Sequence, residues 1–286
     1  MLLNTHKKIL IVGLGLMGGS YAKALHKTGF TVYAIDRDRE SIDFAKEEGF
    51  IDKGDTEASE ALIGEADIII FALYPKLFKP WVEKNQKYMK SGAYITDVTG
   101  VKGCIVESIQ EILRDDLEFI SSHPMAGREL SGVKNSDETI FYGANYIIVP
   151  TEKNTKEGID ICREIGLIMR FGKITILSPD EHDEMIGFVS QLTHCIAVSL
   201  MNVSDDEKLS DYVGDSFRDL TRIAKINENM WTELFLMNKE ALLKEMDKFI
   251  YEIQDLRERI ATEDEAAIKE KMIISAKRRS KFDKRR

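Results

Sequence analysis

The sequence is poor in the features that define several protein classes. Its three cysteines, Cys104, Cys162 and Cys195, form no Cys-x-x-Cys pattern, which is typical of reduced thiols in a cytoplasmic protein. The longest apolar runs, such as ADIIIFAL, have the length of strands, and none approaches the roughly 18 residues of a membrane span. The N-terminus lacks the apolar core and cleavage site of a signal peptide. We therefore expect a cytoplasmic protein without a membrane segment.

Positive charge is outnumbered by negative charge, with 40 Lys and Arg residues against 49 Asp and Glu residues. The net charge of −9 argues against a nucleic-acid-binding surface over most of the chain. The exception is the terminal KRRSKFDKRR, with seven basic residues and one acidic residue. Such a tail is usually a solvated chain end, although an acidic partner stays an alternative. The five histidines do not cluster with cysteine or carboxylate at ligand spacing, so no metal site is predicted.

Seven strand-like runs alternate with helical or polar stretches in the first part of the chain. They are KKILIVG, FTVYAID, ADIIIFAL, AYITDV, LEFISS, NYIIVP and KITIL. This alternation predicts an α/β fold with a Rossmann-type, doubly wound and mostly parallel sheet. Beyond Leu177 the periodicity is helical, and no proline follows Pro179. We predict a Rossmann domain over 1–175 and an all-α domain over 176–286.

The all-α part contains a long amphipathic segment, MWTELFLMNKEALLKEMDKFIYEIQDLRERI. Its apolar residues keep helical spacing over about thirty residues, which predicts one long helix. Long amphipathic helices often pack against another subunit. We therefore expect a homodimer formed through the C-terminal helices.

A Gly-x-Gly-x-x-Gly motif at Gly13, Gly15 and Gly18 follows the strand KKILIV and precedes a predicted helix. In this context the glycines permit a tight turn, approach of a pyrophosphate, and close packing of helix on strand. The pyrophosphate would lie on the helix N-terminus, at Leu16 and Met17, where N–H groups and the helix dipole favour an anion. The motif predicts a dinucleotide cofactor.

The acidic residue of this fingerprint is Asp36, 18 residues after Gly18 at the end of the next strand. Its carboxylate should accept hydrogen bonds from the adenosine ribose and repel a 2′-phosphate, which favours NAD over NADP. Arg37 follows directly and could hold that phosphate, so NADP stays an alternative.

The stretch SSHPMAGRE places His123 directly before Pro124, a position restricted to extended backbone. It lies beyond a predicted strand of the parallel sheet, at the edge where such folds bind ligands. An enzyme that oxidises an alcohol with a nicotinamide needs a base near the carbinol, and imidazole suits that role at neutral pH. A structural histidine is the alternative.

The all-α part contributes two further patterns. Asp183 and His194 are eleven residues apart, three helical turns plus roughly 20°, so both should lie on one face. Arg218 and Arg222 are one turn apart and could clamp a carboxylate in a bidentate manner. A solvated helix face with local ion pairs is the alternative.

Five motifs together resemble the prephenate dehydrogenase family of tyrosine biosynthesis, over nearly the whole chain. They are GLGLMGGS, ITDVTGVKG, SSHPMAGRE, EHD…SQLTH and FRDLTRIA…MW. The resemblance implies a monofunctional enzyme that uses NAD to convert prephenate to 4-hydroxyphenylpyruvate and CO2. It implies that His123 is catalytic and hydrogen-bonds the ring hydroxyl, and that Arg222 holds the ring carboxylate.

The same resemblance assigns further residues. It assigns His194, Asp183, Trp231 and Glu129 to the substrate pocket or its gate. Asp183 is expected to lie near Arg222. Asp97, in ITDVTGVKG, is assigned to the cofactor site. Arg128 either binds the substrate's side-chain carboxylate or pairs with Glu129.

Two positions depart from the family pattern. Gly100 stands where many members have a serine that helps to orient the histidine and the hydroxyl, so Thr99 and Ser122 become candidates for a catalytic hydroxyl. Gln191 stands where many members have a second histidine. Because of Gly100 and Gln191, a non-catalytic NAD-binding regulator stays open as an alternative. Arogenate dehydrogenase also stays open, since the pocket around Arg128 decides between the two substrates. A different dehydrogenase of the 3-hydroxy-acid type is the third alternative.

Overall fold

The computed structural model describes residues 3–128 and 130–282. The chain divides between Asn238 and Lys239 into two compact units. The first holds both sheets and the helices up to Met237, and the second holds the last two helices of the described chain.

A six-stranded parallel sheet forms the centre of the first unit. Its strands are β1 (Lys8–Val12), β2 (Thr31–Ile35), β3 (Lys53–Asp55), β4 (Ile68–Phe71), β5 (Tyr94–Asp97) and β6 (Glu118–Phe119). The order β3-β2-β1-β4-β5-β6 reverses direction between β1 and β4, which is the switch point where such sheets bind ligands. The predicted Rossmann-type fold is confirmed. The short strand β3 was not predicted.

Both faces of this sheet are covered by apolar side chains. Along β1, Ile9 and Ile11 pack into one core, and Leu10 and Val12 pack into the other. All four are fully or almost fully buried. Successive residues of a strand point to opposite faces, so the continuous apolar run KILIV is explained by helices on both sides.

A second sheet of three strands differs from the prediction. Its strands are β7 (Ser121–Met125), β8 (Asn145–Val149) and β9 (Lys173–Ile176), with β7 antiparallel and β9 parallel to β8. LEFISS was predicted as one strand of the parallel sheet, but the chain leaves that sheet after Phe119. His123 therefore lies within β7, opposite Ile147, and not beyond a parallel strand. Pro124 is tolerated because β7 is the outer strand of its sheet.

The helices follow the alternation of the sequence. In the sheet region they are α1 (Leu16–Lys27), α2 (Arg39–Glu47), α3 (Glu60–Ile63), α4 (Pro75–Asn85), α5 (Gly103–Ile112) and α6 (Lys156–Ile168). After β9 come α7 (Pro179–Ile186), a π-helix (Gly187–Leu192), α8 (Thr193–Met201), α9 (Asp215–Thr221), a 3-10 turn (Arg222–Ala224) and α10 (Glu228–Met237). Ser178 and Glu181 form a capping box at the start of α7, with Pro179 at its first position.

The single long helix that was predicted is two helices. The first, α10, ends at Met237, and α11 (Lys239–Ala261) begins after Asn238, whose backbone leaves the helical region with ψ of 29°. The buried Asn238 side chain donates hydrogen bonds to the Asp183 carbonyl (2.9 Å) and to Gln191 Oε1 (2.8 Å). These contacts hold the chain at a point where the hydrophobic pattern alone would continue the helix.

The second unit is a helical hairpin of α11 and α12 (Glu265–Arg279). Lys271 on α12 forms ion pairs with Glu252 (2.9 Å) and Asp255 (2.7 Å) on α11. Many large apolar residues of the hairpin are exposed, including Tyr251, Ile260, Met272 and Ile273.

One helical segment of the described chain, Pro179–Met201, is long and apolar enough to cross a membrane, with a mean hydropathy of 1.3. No such segment was predicted, because no uninterrupted apolar run in the sequence approaches the roughly 18 residues of a membrane span. This result rests on length and composition only, and the core helix of a protein outside the membrane passes the same test. The segment holds two residues of the candidate site, His182 and His194, described below.

Candidate active site

The glycine-rich turn has the shape that a dinucleotide requires. Gly13 has φ of +99°, and a Cβ there would lie 2.6 Å from the Ala72 carbonyl oxygen. A Cβ at Gly18 would lie 1.8 Å from the Gly13 carbonyl oxygen, so helix and turn meet too closely for any side chain. At Gly15, by contrast, a Cβ would meet nothing within 4 Å. The backbone at Gly15 is therefore open to a ligand, while its neighbours fix the turn.

The remaining residues of this turn also fit NAD. Gly15 caps α1 without a side-chain acceptor, so the N–H groups at Leu16 and Met17 meet no capping side chain. Asp36 lies against the turn, where one carboxylate oxygen accepts the Leu14 N–H at 2.5 Å. Arg37 is exposed. The acidic group thus lies beside the predicted pyrophosphate site.

Asp97 does not have the contacts of a cofactor ligand. Its carboxylate is fully buried and accepts hydrogen bonds from Lys102 Nζ (2.8 Å), the Ser121 hydroxyl (2.6 Å) and the backbone N–H groups of Thr99 and Ser122. Both oxygen atoms are engaged within the protein. Its assignment to the cofactor site stays a prediction, and the contacts in the structure show that Asp97 holds β5, β7 and the start of α5 together.

The two hydroxyl groups proposed as catalytic are bound in the same network. Ser122 Oγ contacts the Thr96 hydroxyl (2.9 Å), the Tyr146 hydroxyl (2.8 Å) and the Asp97 carbonyl (2.9 Å). The Thr99 hydroxyl donates to the Asp97 carboxylate. Both residues are buried. The expectation that Thr99 or Ser122 supplies a hydroxyl to the reaction stays a prediction, and the hydrogen bonds of both hydroxyl groups are made within the protein.

A hydrogen-bonded chain of three side chains ends at His123. His123 Nδ1 lies 2.9 Å from His182 Nε2, and His182 Nδ1 lies 2.7 Å from Asp183 Oδ1. His182 has no exposed surface. No role was predicted for His182, although it is adjacent to Asp183 in the EHD motif. That adjacency was the only available signal, since His182 is 59 residues from His123 along the chain.

The carboxylate of Asp183 lies at the N-terminus of α5. Its two oxygen atoms accept the backbone N–H groups of Lys102 and Gly103, each at 2.8 Å. A helix N-terminus favours a negative charge at this position. These contacts give Asp183 a role behind His123, and they do not support the expected role beside Arg222.

The environment of His123 disfavours its charged form. Burial lowers the pKa of this imidazole well below its ordinary value of 6.5, and the nearby His182 and Lys102 lower it further. Burial also lowers the pKa of His182, against the opposing effect of Asp183. His123 is therefore neutral at physiological pH and able to accept a proton.

Gly100 lies beside the second nitrogen of the ring. A Cβ at this position would be 3.9 Å from His123 Nε2 and 3.4 Å from a methyl group of Leu234. Leu234 lies on α10, which carries Trp231 one turn earlier. The imidazole Nε2 thus faces the region between the sheet and α10.

Trp231 connects this region to His194. Their ring centroids are 3.7 Å apart, with an angle of 31° between the planes. His194 follows the π-helix, and its Nδ1 lies 2.9 Å from the Ser190 carbonyl, which orients the ring. π-Helical segments often occur at functional sites. Asp183 and His194 were predicted to share one helix face on the assumption of a regular α-helix. The π-helix between them changes the angle per residue, so that prediction does not hold.

Gln191, at the position of the usual second histidine, is part of the protein interior. Its Nε2 donates to the Leu234 carbonyl at 3.0 Å, and its Oε1 accepts from Asn238. The residue links the π-helix to α10 and so holds the two walls of the site together.

The two arginines predicted to clamp a carboxylate lie on α9 and directly after it. Arg218 is on α9, and Arg222 begins the following 3-10 turn, so α9 ends between them. Both side chains are exposed. Arg128 pairs with Asp137 at 2.7 Å, which neither predicted alternative included. Glu129 lies outside the described residues.

The chain is similar to proteins of one family over most of its length. Residues 21–169 match the nucleotide-binding domain of prephenate dehydrogenase, and residues 178–273 match its dimerization domain. A prephenate dehydrogenase from Lactococcus lactis subsp. cremoris is 33% identical over 272 residues, which are 92% of this chain and 73% of that protein.

Solved structures show the same similarity. Prephenate dehydrogenase from A. aeolicus, in complex with hydroxyphenyl propionate and NAD+, has a TM-score of 0.88 and 33% identity over 97% of this chain and 98% of that one. An arogenate dehydrogenase from Synechocystis has a TM-score of 0.82 and 25% identity over 96% of this chain and 100% of that one.

Proposed function

Because this chain belongs to the prephenate dehydrogenase family and is an NAD-binding dehydrogenase, we propose that it oxidises and decarboxylates prephenate to 4-hydroxyphenylpyruvate. The proposal rests on the environment of His123. Its imidazole is neutral, its Nδ1 is held by His182, and its Nε2 lies beside Gly100. This is the arrangement of a base that removes a proton from an alcohol.

The proposed reaction needs only one proton acceptor in the protein, because the proton that His123 takes up is later returned to the product. Prephenate carries a ring hydroxyl opposite a ring carboxylate. His123 Nε2 accepts the hydroxyl proton while the carbinol hydrogen leaves as hydride, for which NAD, when bound, is the acceptor. The C–CO2 bond then breaks, its electron pair aromatises the ring, and the proton on His123 returns to the phenolic oxygen. The net products are 4-hydroxyphenylpyruvate, CO2 and NADH.

We assign the ring carboxylate to Arg222. Guanidinium binds carboxylate in a bidentate fork and keeps its charge at every working pH. Its exposed position after α9 is compatible with contact with a ligand. We assign Arg218, His194 and Trp231 to the substrate pocket. Glu129 stays an expected gate residue.

Arogenate is the second candidate substrate. It undergoes the same ring chemistry but carries an amino acid side chain, and a dehydrogenase named for it has the same fold as this chain. Arg128 is our candidate for contact with the side-chain carboxylate that both compounds share, after release from Asp137. The two substrates are best distinguished by direct comparison of turnover.

We also propose that the protein is a cytoplasmic homodimer. The region that matches the family's dimerization domain carries exposed apolar side chains on the π-helix and α7, among them Phe188, Val189 and Met185. The α11–α12 hairpin carries a further exposed apolar set. Sedimentation equilibrium should give twice the mass of the chain, and a monomer at micromolar concentration would contradict this assembly.

Replacement of the base tests the proposed chemistry. His123→Asn should lower kcat by about 10²–10⁴-fold, because proton transfer then depends on water. NAD binding, measured by calorimetry, should not change. His6→Asn, at an exposed histidine, is the matched control and should retain full activity. Wild-type turnover in His123→Asn would contradict the assignment.

A further inference from the structure

We propose that His182 and Asp183 are positioning residues that hold His123 in the tautomer with its proton on Nδ1 and a lone pair on Nε2. This deepens the proposed function, since that lone pair would accept the substrate's proton. The tautomer itself is a property of the protein alone and can be measured without any substrate.

Asp183 is held in position by two hydrogen bonds. Backbone N–H groups of Lys102 and Gly103 donate to its two oxygen atoms. An ionised carboxylate has only acceptor sites. Since Asp183 Oδ1 lies 2.7 Å from His182 Nδ1, the hydrogen between them is carried by His182.

The state of His182 then follows. Its ring is fully buried, and burial disfavours its charged form. A neutral imidazole with hydrogen on Nδ1 has a lone pair on Nε2. That lone pair faces His123 Nδ1 at 2.9 Å, so His123 must carry its hydrogen on Nδ1.

The consequence for His123 is that Nε2 has no hydrogen. This atom is 3.9 Å from where a Cβ would lie at Gly100, on the side of the site that α10 faces. Without the two residues behind it, the proton of a neutral imidazole could occupy either nitrogen. The tautomer protonated at Nε2 cannot act as a base toward a substrate on that side.

The orientation is supported by the elements that carry the three residues. His123 lies on β7, His182 and Asp183 on α7, and the amides that hold Asp183 at the start of α5. The Asp183 carbonyl also accepts from the buried Asn238. Three elements thus determine one ring orientation, which is the arrangement expected for a preorganised base.

Nitrogen NMR of the protein with ¹⁵N-labelled histidine tests the proposal directly. Two-bond ¹H–¹⁵N correlations distinguish the protonated from the unprotonated ring nitrogen, and His123→Asn identifies the signals of His123. We expect His123 to show a protonated Nδ1 and an unprotonated Nε2 near neutral pH. A protonated Nε2 would overturn the proposal, whatever the enzyme's activity.

Asp183→Asn supplies the functional measurement. An amide can present its NH2 group to His182, which reverses both tautomers. Because the wrong tautomer costs about 10⁴-fold in a comparable triad, we expect kcat to fall by about tenfold or more. The KM should change less than about threefold, and His123 should gain signal at protonated Nε2. A changed KM with an unchanged kcat and tautomer would overturn the proposal.

One control variant distinguishes this positioning role from a general effect of surface charge. Asp180→Asn changes an exposed carboxylate on the same helix and should alter neither the spectrum nor kcat. If Asp183→Asn does not fold, the wild-type spectrum still decides. If the spectrum is as expected but prephenate is not turned over, the proposed function fails while the positioning of His123 stands.

Discussion

At the scale of single residues, the pKa of His123 determines how activity depends on pH. Burial lowers that pKa well below 6.5, and only the neutral ring accepts a proton. The kcat/KM profile should therefore stay flat from neutral pH through 6.5 and fall only at a lower pH. Its measurement over the acidic range, with stability checked at each pH, tests this expectation. An acidic limb centred at or above 6.5 would contradict it.

Gly100 offers a second test at this scale. Its missing Cβ leaves a space bounded by Leu234 and His123 Nε2, at 3.4 and 3.9 Å. A small hydroxyl side chain fits, so Gly100→Ser should change the free energy of unfolding by less than about 1 kcal/mol and retain activity. Gly100→Val, with two methyl groups aimed at Nε2, should lower kcat/KM by about 10²-fold or more.

Steady-state kinetics and urea unfolding of the two variants would check this pair. Equal activity in both would show that position 100 does not border the reacting atoms. Loss of activity in Gly100→Ser would show that the space is needed by the substrate.

Sequence patterns predicted some of these residues and missed others, for a common reason. The glycine motif and His123 carry local signals: a fixed spacing after a strand, and a histidine before proline. His182 carries no local signal, because its hydrogen bond to His123 forms only when the chain folds and brings α7 to β7. Thr99 and Ser122 have the right side chains and the right neighbourhood, but only the fold shows that their hydroxyls face Asp97.

At the scale of elements, the buried ion pair between Asp97 and Lys102 joins β5 to the start of α5. Both side chains have no exposed surface, and their polar atoms are 2.8 Å apart. Burial lowers the pKa of Lys102, and Asp97 opposes that shift. Lys102 also donates to the Ser122 carbonyl at 2.7 Å, directly before His123.

Removal of this ammonium group should destabilise the protein strongly. Lys102→Met leaves a buried carboxylate without its counter-charge, which costs about 3–5 kcal/mol. The free energy of unfolding, measured in urea, gives the value. Lys84→Met, on an exposed part of α4, is the matched control and should lie within about 0.5 kcal/mol of wild type. A similar small effect in Lys102→Met would contradict the role of the pair.

The elements that sequence patterns did not predict are those decided by contacts across the fold. Hydrophobic spacing continues through Asn238, but its side chain bonds to Asp183 and Gln191 and ends α10. The strand LEFISS has no turn signal within it, and yet the chain changes sheets after Phe119. The π-helix gives no local signal at all. In each case the tertiary contact outweighs the local pattern.

At the scale of the whole molecule, alternation of strands and helices was sufficient to predict the Rossmann-type sheet but not the separate three-stranded sheet. The Rossmann-type sheet, the following all-α region, the family and NAD are confirmed. The division of the sequence into 1–175 and 176–286 stays a prediction about the family's domains. The site is built from both sides of that division, since His123 and Gly100 precede it while His182 and Trp231 follow it.

The central claim is that this assembly acts on prephenate with NAD. Its most direct test is the formation of NADH by the purified wild-type protein, with prephenate and arogenate compared at equal concentrations and NADP in a parallel reaction. We predict turnover of prephenate with NAD, and much slower reaction with arogenate or with NADP. Faster turnover of arogenate would change the assigned substrate. No turnover of either compound, with NAD binding intact, would contradict the proposed function.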